Sequence, residues 1–287
     1  MEAINNALQE WQQVLDKLKH HQVQQTSSVN EIKQKPVYEC ERCKDQEGYL
    51  VLIAGTPMYE QCECRDKKRL QKILRSSNIT EDFQRKTFGN FVDWSGDQRH
   101  LELYQKAYTY AKDFEEIRHK EEGHSLGLVG ASGSGKSHAA FAVANNLMVK
   151  KGIQVLYFNF VNGFKEMFSR YDAGSSDVQR IREGLQMAEV LLIDDILKGK
   201  PDERKGYPEV SKAVYDEMYG LIEYRHFHHK PTIWTSEYYY ELIPALGEAT
   251  ASRLFEMSRS NIGKALYTPD EMTAGEIGKL NYRLRDL

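Results

Sequence analysis

The run Gly130-Ala131-Ser132-Gly133-Ser134-Gly135-Lys136-Ser137 carries the pattern G-x-x-x-x-G-K-[ST], whose spacing suits the binding of a phosphate chain together with a divalent cation. Glycines let consecutive backbone amides turn toward phosphate oxygens, and a helix that follows aims its N-terminal N–H groups at the same point. Lys136 then reaches the outer phosphates, and the Ser137 hydroxyl ligates magnesium. The candidate contacts are Gly130, Ser132, Gly133, Ser134, Gly135, Lys136, Ser137 and His138. A chance Gly/Ser turn is the alternative. The flanks weigh against it, because the apolar run LGLVG leads into the loop and the helix-forming HAAFAVANNLMVKK leads out.

A second constellation complements the first. Asp194 and Asp195 end the run Val190-Leu191-Leu192-Ile193, so both carboxylates emerge from the tip of a buried strand, as in a Walker B motif. Asp194 is placed to hold magnesium, directly or through water, and Asp195 to polarise an attacking water. An acidic strand end in a turn is the bland alternative. The third constellation is Cys40-x2-Cys43 with Cys62-x-Cys64, separated by a stretch containing Gly48, Gly55 and Pro57 that suits a hairpin. Four thiolates at one point satisfy tetrahedral zinc, and a clustered set in a reducing compartment favours metal over disulfides. The C-x-C pair is tighter than the usual knuckle, and structural thiols are the competing reading.

These side chains need a scaffold. Candidate strands at 125–130, 153–158, 189–194, 231–236 and 263–267 alternate with helices, which implies a parallel sheet covered on both faces. The unit at 153–158 falls between the two phosphate-site motifs, pointing to the additional-strand class of P-loop ATPases rather than to simple kinases. Upstream, the sequence predicts one helix over about Asp97 to Glu122 and an extended connector over Asn78 to Phe91 with Phe83, Phe88 and Phe91 as anchors. A basic helix is expected over 66–76 and a Gln/Ser/Lys-rich linker over 23–36. Ile4, Leu8, Trp11, Leu15 and Leu18 form a heptad-like stripe on an N-terminal helix that seeks an apolar partner. The expected division is 1–75 as helix, linker and cysteine module, 76–96 as connector, and 97–287 as the ATPase core.

A chain of 287 residues has room for one nucleotide-binding domain and a smaller unit, and 40% hydrophobic with 28% charged residues suffices for a buried core. Its net charge of -3 excludes a global basic field, so any nucleic-acid contact must be a local patch or shared among subunits. The N-terminus lacks the pattern of a signal peptide, and the apolar runs are too short for a membrane span, so a cytoplasmic location without membrane contact is expected. The group His226, His228 and His229 lacks metal-like neighbours and reads as a solvated helix end.

From about Ser76 onward the chain resembles the DnaC/DnaI helicase-loader branch of AAA+ proteins, which also includes the IstB transposition ATPases. The resemblance is carried by NITEDFQRKTFGNF, GASGSGKS, LLIDDI, PTIWTSE, ASRLFEM and NYRLR, in that order. It implies an α/β AAA+ P-loop core behind a small helical, zinc-binding N-terminal region, with ATP and magnesium as ligands and a slow ATPase stimulated by assembly or DNA. In PTIWTSE, Glu237 stands where the family places a polar sensor residue, with Ser236 or Thr235 as substitutes. Arg253 matches the arginine finger given to a neighbouring subunit, against a plain helix-surface arginine. Arg283 and Arg285 match a second sensor, against an exposed tail. Lys165, Arg170 and Tyr171 fall where the branch contacts single-stranded DNA, against a solvated helix face with Phe164 and Phe168 in the core. An N-terminal metal module occurs in DnaI-like loaders and is generally missing from IstB-type ATPases. The implied function is a homo-oligomeric loader that places a DnaB-type replicative helicase on single-stranded DNA, docking the helicase through its N-terminal region. The alternatives are a transposition ATPase assisting a transposase, and a zinc-containing adaptor with a regulatory ATP site.

Overall fold

Five short strands form one parallel sheet, and a helix follows each of the first four. The computed structural model describes residues 38, 40–53, 56–62, 64–65, 79–93, 95–169, 175–266 and 280–284. The N-terminal stripe from Ile4 to Leu18, the linker, the 66–76 helix, Arg170, Tyr171 and Arg285 lie outside the described residues. The chain divides into two units, Met1–Cys62 and Glu63–Leu287.

In the first unit, β1 (Gly48–Ile53) and β2 (Thr56–Gln61) pair antiparallel from Gly48↔Gln61 to Ile53↔Thr56. The second unit holds β3 (Leu126–Gly130), β4 (Val155–Asn159), β5 (Val190–Ile196), β6 (Thr232–Ser236) and β7 (Ile262–Ala265) in the order β4-β5-β6-β3-β7. Every neighbouring pair in this sheet is parallel, so each connection must cross over a face. The described helices are α1 (Glu81–Gln84), α2 (Gln98–Lys112), α3 (Phe114–Ile117), α4 (Lys136–Lys151), α5 (Phe160–Ser169), α6 (Ser175–Met187), α7 (Lys212–Phe227), α8 (Leu242–Leu246) and α9 (Glu248–Met257). α4 is apolar nearly all round, from Ala139 to Met148, as a helix buried under the sheet must be.

Two expectations are corrected. The single helix over 97–122 is two, because Asp113 leaves helical geometry at φ -95 and ψ 14 and the bend turns Phe114 and Ile117 into the core. The connector is not simply extended: it folds into α1 and a 3-10 turn at Phe88–Asn90. Asn145 on α4 causes this, its Nδ2 donating to the carbonyls of Phe83, Gln84 and Lys86 at 2.9, 3.1 and 2.7 Å. Phe83 also stacks on Phe141, with ring centroids 4.1 Å apart. Elsewhere in the core, Arg225 is fully buried without a carboxylate among its hydrogen-bond partners. Its guanidinium donates to the carbonyls of Leu185, Gln186, Ala188 and Pro231 and to the Thr232 hydroxyl, tying the end of α6 to the start of β6. Burial pushes this arginine down to about 9.

Candidate functional site

The phosphate loop is shaped by the glycines the sequence supplies. Gly133 and Gly135 adopt φ of 80° and 87°, a left-handed region that L side chains rarely enter. A Cβ on Gly133 would lie 1.9 Å from Asn281 Oδ1, so the loop is closed from outside by the segment Leu280–Leu284. That segment also bonds the loop directly, Tyr282 N donating to Gly133 O at 3.3 Å. α4 begins at Lys136, so its unpaired N–H groups face the loop. The Ser134 hydroxyl is buried and, among the described residues, has no hydrogen-bond partner. A preformed cradle with an orphaned donor fits an anion. Lys136 Nζ donates to Ala131 O at 3.0 Å, and burial holds its pKa down at about 8, against the pull of Glu237 and the two aspartates.

The acidic partner is built by strand pairing. Ile193 faces Trp234 and Ile196 faces Ser236, so two residues of β5, Asp194 and Asp195, oppose the single residue Thr235. This is a β-bulge, and it re-aims the side chains at its centre. Asp195 takes φ 62°. The Thr235 hydroxyl donates to Asp194 Oδ1 at 2.6 Å and accepts from Asp195 N at 2.8 Å, while Ser137 Oγ donates to the same Asp194 oxygen at 3.0 Å. Burial first, and the neighbouring Asp195 second, raise the Asp194 carboxyl; the bonds from Thr235 and Ser137 and the charge of Lys136 oppose that rise. A hydroxyl and a carboxylate at one point form an oxygen donor set of the kind magnesium takes.

A cavity of about 360 Å³ joins these parts. It is lined by Ser132, Gly133, Gly135, Lys136, Ser137, His138, Asp195, Lys198, Glu237, Tyr282 and Arg283, and on its other side by the connector residues Phe83, Lys86, Asn90, Phe91 and Val92. His138 is thus at the cavity wall, with Nε2 donating to Thr87 O at 3.0 Å and its ring edge-on to Phe91.

The remaining sequence-predicted residues are distributed as follows. Gly130 ends β3 where a Cβ would meet Ser134 Oγ at 2.7 Å and Ala265 O at 2.8 Å. Ser236 turns away from the aspartates, its hydroxyl donating to Ile196 O at 2.8 Å, so Thr235 is the residue of that strand that touches Asp194. Glu237 reaches the cavity and pairs with Lys198. Arg253 is not among the cavity-lining residues; on α9 it donates to Ala249 O at 3.0 Å and lies 3.8 Å from Glu223. Lys165 is exposed on α5, whose Phe164 is buried in the core. His226 pairs with Glu256 at 3.2 Å.

Sequence reasoning missed Lys198 and the Asn145 anchor, and it singled out the segment of Asn281 and Tyr282 only through the NYRLR string, without the strap it forms over the loop.

The four cysteines of the hairpin region come together. One sulfur from each lies within 4.8 Å of the others, and Cys40 and Cys62 sulfurs are 3.7 Å apart. A zinc tetrahedron with Zn–S bonds of about 2.3 Å has sulfur–sulfur edges of about 3.8 Å, so the set fits zinc. The knuckle after Cys43 is tight: Lys44, Asp45 and Glu47 have φ of 49°, 66° and 61°, and Gln46 N donates to Cys43 O at 3.1 Å. Among the described residues this is the group of His, Cys, Asp and Glu able to hold a metal, and no described helix is long and apolar enough to cross a membrane.

Comparison with known proteins agrees with this geometry. Residues 42–247 match the family described as IstB-like ATP binding protein. The phage-like element PBSX protein XkdC of Bacillus subtilis (strain 168) is 32% identical over 220 residues, covering 77% of this chain and 79% of that protein. The uncharacterized protein YqaM of the same strain is 31% identical over 227 residues, covering 79% of this chain and 67% of that protein. In fold, the chain is similar to the crystal structure of the DnaC helicase loader, with a TM-score of 0.53 and 19% identity, covering 65% of this chain and 99% of that one. The larger unit has the AAA+ fold.

Proposed function

We propose, from the premise that this chain belongs to the IstB-like ATP-binding protein family, that it is an ATP-hydrolysing loader which delivers a DnaB-type replicative helicase onto single-stranded DNA. The observation that carries the hydrolytic part is the bulge that sets Asp194 and Asp195 against Thr235 and Ser137 beside the phosphate loop. Loop amides, Ser134 and Lys136 bind the phosphates, and the connector side of the cavity receives the base. Ser137 and Asp194 would hold magnesium, which when bound would supply charge neutralisation for the phosphates. Asp195 orients a water whose oxygen attacks the terminal phosphorus as the bond to the bridging oxygen breaks, giving ADP and phosphate. Arg253, outside its own chain's cavity, would leave Ala249 O and Glu223 to serve a neighbouring copy's site in a homo-oligomer.

A helicase partner for the N-terminal region is supported by the pairing of an ATP site with a four-cysteine cluster, a combination the resemblance associates with DnaI-like loaders. Lys165, with Arg170 and Tyr171, then serves the single strand. A second reading, an ATPase that assists a transposase, is favoured by the span of the family match. Mixing the full chain with a replicative helicase and ATP, and measuring the mass of the complex by light scattering, separates the two. A stable complex that transfers the helicase to closed circular single-stranded DNA supports the loader. A chain that ignores helicases yet assembles on duplex DNA with a transposase supports the second reading.

A further inference from the structure

Two of the charged side chains in the cavity that the scheme above leaves unused are paired with each other. Lys198 and Glu237 form an ion pair there, beside Lys136, Ser137 and Asp195. The backbone is bent to put them in place. After the bulge, Leu197 takes φ 61°, and Lys198 N closes a turn onto Asp195 O at 3.0 Å. A leucine in that left-handed region is disfavoured, and such strain persists only where surrounding structure imposes it. The clamp is Ser236, whose hydroxyl donates to Ile196 O at 2.8 Å and accepts from Tyr238 N at 3.0 Å. It locks the tips of β5 and β6 together, so the residues just beyond them, Lys198 and Glu237, face each other across the mouth of the phosphate loop.

Their charges make this an odd arrangement for an anion site. Glu237 is a third carboxylate near the outer phosphates, repelling what the loop attracts. Lys198 cancels that repulsion while paired, and its long stem with three donors can exchange one oxyanion for another. The side chains remain 37% and 23% exposed, so the pair adds little to stability and its members can part into water. Among the charged neighbours that raise Lys136, Glu237 acts most strongly, which puts the pair at the end of the cavity that Lys136 serves.

We propose that Lys198 is a terminal-phosphate-binding residue held in reserve by Glu237, so that the pair lets the site distinguish ATP from ADP. A terminal phosphate competes with the Glu237 carboxylate for the Lys198 ammonium and draws it off; ADP lacks that group and leaves the pair closed. The inference rests on the nucleotide reading of the cavity and adds to it a pair of residues that reads the length of the phosphate chain.

The test is calorimetric titration of ATP and of ADP, with magnesium, into the full chain and its Lys198→Met, Glu237→Gln and double variants. Unfolding temperatures without nucleotide serve as the check on folding. Lys198→Met should weaken ATP about tenfold and leave ADP within about twofold, whereas Glu237→Gln should tighten ATP about three- to fivefold by releasing the lysine and removing a repulsive charge. In the double variant the gain from Glu237→Gln should shrink, because no lysine is left to release. Equal shifts for ATP and ADP, unchanged affinities for both, or weaker ATP binding by Glu237→Gln would each overturn the proposal. If the unaltered chain binds neither nucleotide, the nucleotide reading itself fails and this proposal falls with it; if it binds both and the variants match it, only the role of the pair is lost.

Discussion

In the sheet of the larger unit Leu191, Leu192 and Ile193 are fully buried, whereas in the β1–β2 hairpin Leu50 and Leu52 are 71% and 75% exposed. Among the described residues both regions have strands, and the hydrophobic core lies in the larger one. The larger unit holds its functional groups by packing: buried helix α4 fixes the phosphate loop, and Trp234, with Nε1 bonded to Ser258 Oγ at 2.8 Å, fixes the strand that carries Thr235. An isolated two-stranded hairpin is marginal in water. Among the described residues, the four sulfurs are the group that a metal could use to hold the hairpin in order, and those of Cys43 and Cys62 belong to residues only 4% exposed. The lesson is that burial positions groups whose chemistry depends on being aimed, while a metal can order a segment whose apolar side chains stay available to a partner.

The contrast breaks most visibly when metal is withdrawn. Chelation, or Cys43→Ser, should unfold the hairpin unit, since structural zinc supplies about 10–16 kcal/mol in zinc-finger peptides. The larger unit should keep its unfolding temperature. Limited proteolysis with metal analysis checks this, with about one zinc per chain expected before chelation. A hairpin that stays protected without metal means strand pairing alone suffices.

Inside the packed unit, the largest single effect is expected at Arg225. Replacing it with Met should cost about 3 kcal/mol or more in urea unfolding, because several buried carbonyls lose their donor together. An unchanged midpoint would mean that water takes over those carbonyls.

A smaller effect is expected from Thr235→Val. The change removes the hydroxyl's bond from Asp195 N and its bond to Asp194, each worth about 1 kcal/mol, and leaves shape intact. The bond to Asp194 lowers a carboxyl which burial has already raised, so its loss raises the group further. The ionised form that a cation needs is then reached only at higher pH, and magnesium-dependent ATP affinity in the variant should fall away sooner on acidification. For stability the sign is opposite: a carboxyl raised in the folded state favours folding below its unfolded value, and that benefit is lost as pH rises through the folded value. The variant without nucleotide should therefore tolerate acid at least as well as the parent. Identical pH profiles for ATP binding would remove Thr235 from the site.

Much of this was legible beforehand. The five candidate strands overlap β3 to β7, and the phosphate loop and acidic pair stand out because their chemistry demands fixed spacing along one stretch of chain. What stayed hidden depends on pairing between distant stretches. Thr235 rather than Ser236 faces Asp194 because a bulge shifts the register, and no local pattern announces a bulge in a run as apolar as Val190 to Ile193. α1 forms because an amide on α4 caps it, and the break at Asp113 reflects where Phe114 can be buried. Lys198 was invisible for the same reason, since its meaning depends on facing Glu237.

The most direct measurement of the central claim is titration of ATP with magnesium into the full chain and into Lys136→Ala. The parent should bind with a defined stoichiometry, and the variant should lose affinity by about a hundredfold or more, because the cation facing the outer phosphates is gone from a buried, preformed anion site. Equal affinity in the two proteins, with the variant folded, would contradict the assignment of this loop as the nucleotide site.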